Sequence, residues 1–384
     1  MYYVVTKLSS YTHQMTFEEF LGLPMDASFA LYDGSRQSTS TRTFEVPQIP
    51  ARLRGAAYTE AAIDAMASFC IEHSALYAVP RHELYHEFRI PKRSGGFRKI
   101  RAPHPELKAA LYQLGGLLNQ YFGANRIYHT SAYAFIKGRS HIDSVRVHQQ
   151  NESWWFAKLD LKDFFGSVTK EFAIRMLSML HPFAEVLERQ DGREVFENAL
   201  ELAFLDGVLP QGSPLSPLLT NLIMVPIDFT LSRAFRQFAG GRAVYTRYVD
   251  DMLISSRLQF NVRDVEALLQ NTFSSFGAPL RLNPEKTRYG SRSGSNWNLG
   301  VVLNKDNNIT VGYKNLRRFK SMLYNFRRDN LLGVSWEIGD IQHALGLYAY
   351  YRMVDAATVD NILNEFKSKY GFDVIQSMKQ ALSL

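Results

Sequence analysis

Apolar positions recur at three- and four-residue steps along much of the chain, a period that predicts amphipathic helices. Thr59 is placed to cap a helix with Ile63, Met66, Cys70 and Ile71 on one face. A second helix begins near Pro105 and lines up Leu107, Ala110, Leu111, Leu114, Leu118 and Tyr121. Between them, Phe88-Arg89-Ile90-Pro91 and Phe97-Arg98-Lys99-Ile100 read as short strands about the turn Ser94-Gly95-Gly96, a hairpin pattern. Trp154 to Leu161 reads as a buried strand, followed by helix after Thr169. Ala243 to Ser255 reads strand, turn, strand, with acidic residues at the turn. Beyond Ile309 the period is helical. Leu316, Phe319, Leu323 and Phe326 form one stripe, Ile338, Ile341, Leu345 and Tyr348 another, and Val359, Ile362, Leu363 and Phe366 a third. Residues 1–57 show no period; polar Ser35–Arg42 and the prolines Pro47 and Pro50 predict a loop or docking arm. No internal repeat or low-complexity tract interrupts the pattern, which predicts an α+β centre and a helical tail.

Composition narrows the classes. With 384 residues and 46% hydrophobic content, the chain can bury two or three packed units. Lys and Arg number 44 against 37 Asp and Glu, a formal charge of +7, which suits a surface that holds a polyanion. A single cysteine, Cys70, excludes an intrachain disulfide and a Cys-based zinc or iron–sulfur site. Met1–Lys7 lacks the layout of a signal peptide, and no apolar run approaches the roughly 18 residues of a membrane span. The expectation is a cytoplasmic protein with no membrane partner.

Three acidic residues carry the candidate chemistry. Asp160 ends an apolar strand, and Asp250 and Asp251 occupy the apex of an apolar hairpin. Carboxylates in such places are costly unless they meet solvent, a cation or a partner. If the strands are neighbours, the three converge as ligands for hard divalent ions, and two such ions about 4 Å apart run in-line phosphoryl chemistry. The pair alone reads equally well as an ordinary hairpin turn. His82-Glu83-Leu84-Tyr85-His86 matches a zinc-hydrolase helix but has no third ligand placed. Gly95-Gly96 lacks the Gly-Lys-Ser/Thr ending of a phosphate loop. Lys314, Arg317, Arg318, Lys320, Arg327 and Arg328 around the first stripe form either a solvated face or a nucleic-acid contact.

Four motifs in order change the balance. Ile90-Pro91-Lys92-Arg93-Ser94-Gly95-Gly96-Phe97-Arg98-Lys99-Ile100, Leu159-Asp160-Leu161-Lys162-Asp163-Phe164-Phe165, Leu209-Pro210-Gln211-Gly212-Ser213-Pro214-Leu215-Ser216-Pro217 and Tyr248-Val249-Asp250-Asp251 resemble the signatures of reverse transcriptases, with Leu282-Asn283-Pro284-Glu285-Lys286-Thr287 following. The resemblance spans residues 80–375 and implies an α+β right-hand polymerase. Its parts are an amino-terminal extension (1–57), fingers (58–158), a palm with an antiparallel sheet (159–308) and a helical thumb (309–384). It implies that Asp160, Asp250 and the Leu161 carbonyl hold two Mg²⁺ ions, with Mn²⁺ as a substitute, and that Asp251 completes the cluster. Lys92 and Arg98 match positions that grip the triphosphate. Gln211, with Gly212 beside it, matches the nucleotide-sugar position, and Lys286 the lysine that assists pyrophosphate departure. Phe165 matches the gate that excludes a 2′-hydroxyl; on its own it reads as a core aromatic. The place of the basic stripe implies thumb contacts to nucleic acid by Arg317, Arg318, Lys320, Arg327 and Arg328.

Within the bacterial branch, no room follows residue 384 for a maturase domain. Retron enzymes show Asn-Ala-x-x-His before the first acidic motif and Val-Thr-Gly near the thumb. Here Gly138–His148 keeps only the final histidine, and Thr310-Val311-Gly312-Tyr313 replaces the second. The expected function is an RNA-directed DNA polymerase of an antiviral (anti-phage) system. It takes a structured noncoding RNA template and deoxynucleoside triphosphates, makes a DNA product, and leaves open a partner protein or homo-oligomer. The alternatives are a retron enzyme making RNA-linked DNA, template-independent or protein-primed synthesis, and a non-catalytic RNA-binding scaffold.

Overall fold

The computed structural model describes residues 4–8, 11–15, 56–92, 95–294 and 299–382. Strands β1 (Val4–Leu8) and β2 (Tyr11–Met15) pair antiparallel, so the amino-terminal region holds a hairpin that no period announces. Residues 35–42, Pro47 and Pro50 of the expected arm lie outside the described residues.

Helix α1 (Ala56–Glu72) starts before Thr59, which is therefore not its cap; Thr59 is buried, and its Oγ1 donates to Glu185 Oε2 at 3.4 Å. Ile71 is 75% exposed, off the buried face of Ile63 and Met66. It lies five residues beyond Met66, about 140° round the helix. Strands β3 (Tyr85–Pro91) and β4 (Phe97–Pro103) form the expected hairpin, paired from Tyr85↔Pro103 to Pro91↔Phe97. Helix α2 (Pro105–Phe122) begins on its proline and stops at Gly123, whose φ of 60° is the left-handed cap that glycine adopts without strain.

The central sheet has strand order β6-β7-β5-β8 and is antiparallel throughout. Its members are β5 (Trp155–Asp160), β6 (Ala243–Tyr248), β7 (Asp251–Ser256) and β8 (Arg288–Ser291). Side chains alternate between its faces. Ala157, Leu159, Tyr245, Met252 and Ile254 join the main core with Leu219, Leu231 and Phe235, from helices α6 (Ser216–Ile223) and α7 (Val225–Gln237). Phe156 and Leu253 face the other way, onto Val145, Val301 and Leu303. That second face also holds a buried polar network. His148, on helix α3 (His141–Gln150), meets Ser255 Oγ at 2.5 Å and Thr246 Oγ1 at 2.8 Å. Full burial pushes its pKa down to about 3, so the ring is neutral and both nitrogens are satisfied. The outer edge of β6 is covered: Arg247 N donates to Ser131 O at 2.7 Å and Tyr133 N to Arg247 O at 3.0 Å. Between the strands, the expected helix after Thr169 is α4 (Lys170–Leu177), capped by the Thr169 side chain, which accepts from Phe172 N, and helix α5 (Gln190–Glu201) follows it.

The carboxy-terminal helices α8 (Tyr313–Leu331), α9 (Ile338–Val354), α10 (Ala356–Tyr370) and α11 (Val374–Ala381) have a core of their own. Phe319, Leu323 and Phe326 are buried in it, each side chain contributing about 1.5–3 kcal/mol. Ile338, expected in the second stripe, is 61% exposed. The ring packed edge-on against Phe326 is Trp336, anchored by its Nε1 donating to Asp329 at 3.0 Å. No single helix among the described residues is long and apolar enough to cross a membrane.

Candidate active site

The pairing of β5 with β7 sets Asp160 directly opposite Asp251. Asp250 lies in the two-residue turn joining β6 to β7, since Tyr248 pairs with Asp251. The turn is tied down on both sides: Leu161 N donates to Asp250 O at 3.1 Å and Arg247 Nη1 to Val249 O at 3.2 Å. Val249 adopts φ 59°, a left-handed conformation that a β-branched residue holds only under constraint. The three residues expected to converge thus share one end of the central sheet.

Their electrostatics are those of a cation site. Burial, and then the charges of Asp251 and Asp160, push the Asp250 carboxyl up to about 7. Two ammonium groups partly offset the cluster. Lys286 Nζ donates to both oxygens of Asp160, at 2.6 and 3.0 Å, and Lys158 Nζ lies 3.1 Å from Asp251 Oδ1. Lys286 reaches Asp160 because residues 281–286 run alongside it: Asn283 N donates to Asp160 O at 2.8 Å, and Leu282 bridges Leu161. An oxygen-only set with excess negative charge and a lysine chelated by one carboxylate fits hard divalent ions. Among the described residues, no three His, Cys, Asp or Glu side chains are already gathered around one centre. The zinc reading of His82 and His86 fails on secondary structure, because Arg81–Leu84 is a single 3₁₀ turn and His86 is already in β3.

The residues expected on the nucleotide side sit on two segments locked together. Arg101 N, on β4, donates to Gln211 O at 2.8 Å. Gly212 has φ 123°, and a Cβ there would lie 2.7 Å from Arg101 O, so only glycine fits. The Arg101 side chain reaches Asp206 Oδ2 at 3.1 Å and Glu87 Oε2 at 3.5 Å. Lys92 and Arg98 are exposed on the hairpin. Phe164 takes the core position, 4% exposed, and leaves Phe165 half-buried beside it.

On α8, Arg317, Arg318 and Lys320 are exposed. Lys320 lies 3.6 Å from Glu365, Arg328 turns to Asp329 at 2.8 Å, and Arg327 stacks over Tyr370 at 4.4 Å. The sequence reading passed over Arg247, Asp228, Lys158 and Arg101. A charge inside each of the apolar runs 225–231 and 243–249 was the available signal for the first two. Lys158 stands two residues before Asp160, hence on its face of the strand.

An antiparallel sheet presenting carboxylates at a strand end and hairpin turn, beside a helix-backed nucleotide loop, is the architecture of right-hand polymerases. A sequence model of the reverse transcriptase (RNA-dependent DNA polymerase) family matches residues 90–308, more than half of the chain, and the protein belongs to that family. It is an RNA-directed DNA polymerase of a family that uses divalent metal ions. The chain is similar to the retron Ec83 reverse transcriptase of Escherichia coli, 27% identical over 310 residues that cover 77% of this chain and 90% of that protein. The retron Mx162 reverse transcriptase of Myxococcus xanthus is 29% identical over 301 residues, 71% of this chain and 58% of that protein. A solved telomerase from Candida tropicalis aligns with TM-score 0.42 and 14% identity, over 79% of this chain and 62% of that one.

Proposed function

We propose that the chain copies a structured noncoding RNA into DNA by two-metal nucleotidyl transfer, as the polymerase of an antiviral system. The observation that carries the chemistry is the register Asp160↔Asp251 with Asp250 in the adjoining turn, its carboxyl raised by burial and then by the other two. Asp160, Asp250 and the Leu161 carbonyl would hold two Mg²⁺, replaceable by Mn²⁺, with Asp251 beside them. When bound, these ions neutralise charge as the primer 3′-hydroxyl displaces pyrophosphate at the α-phosphorus. Lys286 gives up its hold on Asp160 and becomes the cation next to the departing pyrophosphate. Lys92 and Arg98 grip the triphosphate from the exposed hairpin. Gln211 and Gly212 form the floor beside the sugar, rigid because Arg101 fixes their backbone. Phe165 fills the space beneath the 2′ carbon. The fingers (58–158), palm (159–308) and thumb (309–384) follow, and the separate core of α8–α11 supports the last division. Asp250→Asn keeps the shape and removes the charge. Purified Asp250→Asn should lose DNA synthesis by at least a thousandfold, about 4 kcal/mol, while remaining folded and RNA-bound. Near-wild-type incorporation would overturn the mechanism.

The defence role rests on the departures from the retron pattern at 138–148 and 310–313. A retron reading, with RNA-linked DNA as product, is favoured instead by the names of the curated relatives. Sequencing the nucleic acid that copurifies, with and without RNase, separates the two. Plating phage on hosts carrying the wild-type or Asp250→Asn locus tests defence directly.

A further inference from the structure

Arg247 is the largest fully buried side chain in the described structure, 1% exposed, and it sits three residues before Asp250. A guanidinium taken out of water is costly unless its donors are matched. Here Nε donates to Asp228 Oδ1 at 3.0 Å and to Oδ2 at 3.1 Å, and Nη2 donates to Asp228 Oδ2 at 2.7 Å and to Asn221 Oδ1 at 3.2 Å. Asp228, itself fully buried on α7, also accepts from Tyr245 Oη at 2.8 Å. Asn221 is fixed in turn by its Nδ2 donating to Ala134 O at 2.8 Å. The ion pair uses one edge of the guanidinium and leaves Nη1 for the turn, where it donates to Val249 O at 3.2 Å.

The restraint has a target that needs one. Val249 is β-branched at φ 59°, next to Asp250. That conformation pushes the turn to relax. On one side the Leu161 amide holds the Asp250 carbonyl; on the other, Arg247 holds the carbonyl of Val249, the peptide that leads into Asp250.

We infer that Arg247 is a positioning residue for catalysis: with Asp228 and Asn221 as its anchor, it fixes the Val249–Asp250 turn that sets Asp250 beside Asp160 and Asp251. This rests on the metal-holding role given to Asp250 above. Lysine at 247 keeps the charge for Asp228 but, with one ammonium in place of a planar fork, cannot also hold the turn.

The test is Mn²⁺ binding to the full-length protein on a primer–template duplex, read by electron paramagnetic resonance rather than by activity. Asp250→Asn defines which binding belongs to the site. Arg247→Lys should weaken that binding roughly tenfold, in the range seen when groups that orient metal ligands are removed. Adding Val249→Gly should recover most of it, because glycine adopts the left-handed turn without a clamp. If Arg247→Lys does not fold, the neutral pair Asp228→Asn with Arg247→Gln poses the same question and should show the same loss. A folded variant of either kind with wild-type Mn²⁺ affinity overturns the inference. Unchanged Mn²⁺ binding in Asp250→Asn would instead overturn the metal role of Asp250 itself.

Discussion

Arginine serves opposite ends in two regions of this molecule. Behind the β6–β7 turn, Arg247 is enclosed, and its partners Asp228, Asn221 and Val249 O are all named by geometry. On the outer face of α8, Arg317 and Arg318 stand in solvent. The enclosed arginine contributes position, because each of its three nitrogens donates to a partner fixed in the fold. The exposed ones contribute field, which is additive, sequence-blind and screened by salt. Charge count alone, which is what composition reports, merges the two.

The sharpest way to break the comparison is to remove the counter-ion inside. Asp228→Ala leaves Arg247 charged and unmatched and should cost about 3–5 kcal/mol, seen as a large fall in Tm. A change as small as that of a surface alanine would mean that water reaches the pair. Phe165, half-buried, should give a smaller and more selective effect. Phe165→Ala should relax discrimination against ribonucleotides by roughly 10–100-fold, about 1–3 kcal/mol, and an unchanged ratio would return the ring to the core.

Asp250 predicts a pH effect of definite sign. Its folded pKa of about 7 lies above that of an unfolded carboxyl, so the folded state holds a proton that the unfolded state releases. Metal-free wild-type protein is therefore most favoured below the ordinary carboxyl range and loses that advantage as pH rises to about 7. Asp250→Asn has no such loss and should melt a few degrees higher than wild type at pH 8, by about 1–2 kcal/mol once partial solvation is allowed for. Equal Tm at pH 8 would show that the lysines already neutralise the cluster.

Outside, the effect moves from stability to binding. Replacing Arg317, Arg318 and Lys320 with Ala should leave Tm unchanged and lower the salt slope of nucleic-acid affinity by roughly 2, since Lys320 is partly committed to Glu365. An undiminished slope would move the nucleic acid off this face. Smallest of all, Arg328→Ala should change either property by no more than about 0.5 kcal/mol, its charge being spent on Asp329.

What could be read in advance follows the same division. The hairpin of Asp250 and Asp251, the strand ending at Asp160 and the stripe of α8 are written in local period, and the motif order supplied the polymerase. Arg247 was visible only as an anomaly in an apolar strand; its partner lies 19 residues away on another element, and no local rule joins them. Ile71 and Ile338 failed for a related reason. Helical period says that a side is apolar, whereas the neighbour that covers it decides how far the buried arc extends. Gly212 requires β4 to be in place before its missing side chain has a purpose.

The cover over β6 has a consequence for how the chain behaves in a crowded cell. An open strand edge is a template on which other polypeptides add as further strands. On the β6 side, Ser131 and Tyr133 take up the amide and carbonyl of Arg247. On the far side, β8 is only four residues long, with Arg288 exposed and Tyr289 stacked on Trp155. Neither margin offers the long, flat, uncharged run that seeds intermolecular sheets. In the central sheet that protection comes from a loop and a short strand rather than from the two strands that carry Asp160 and Asp251.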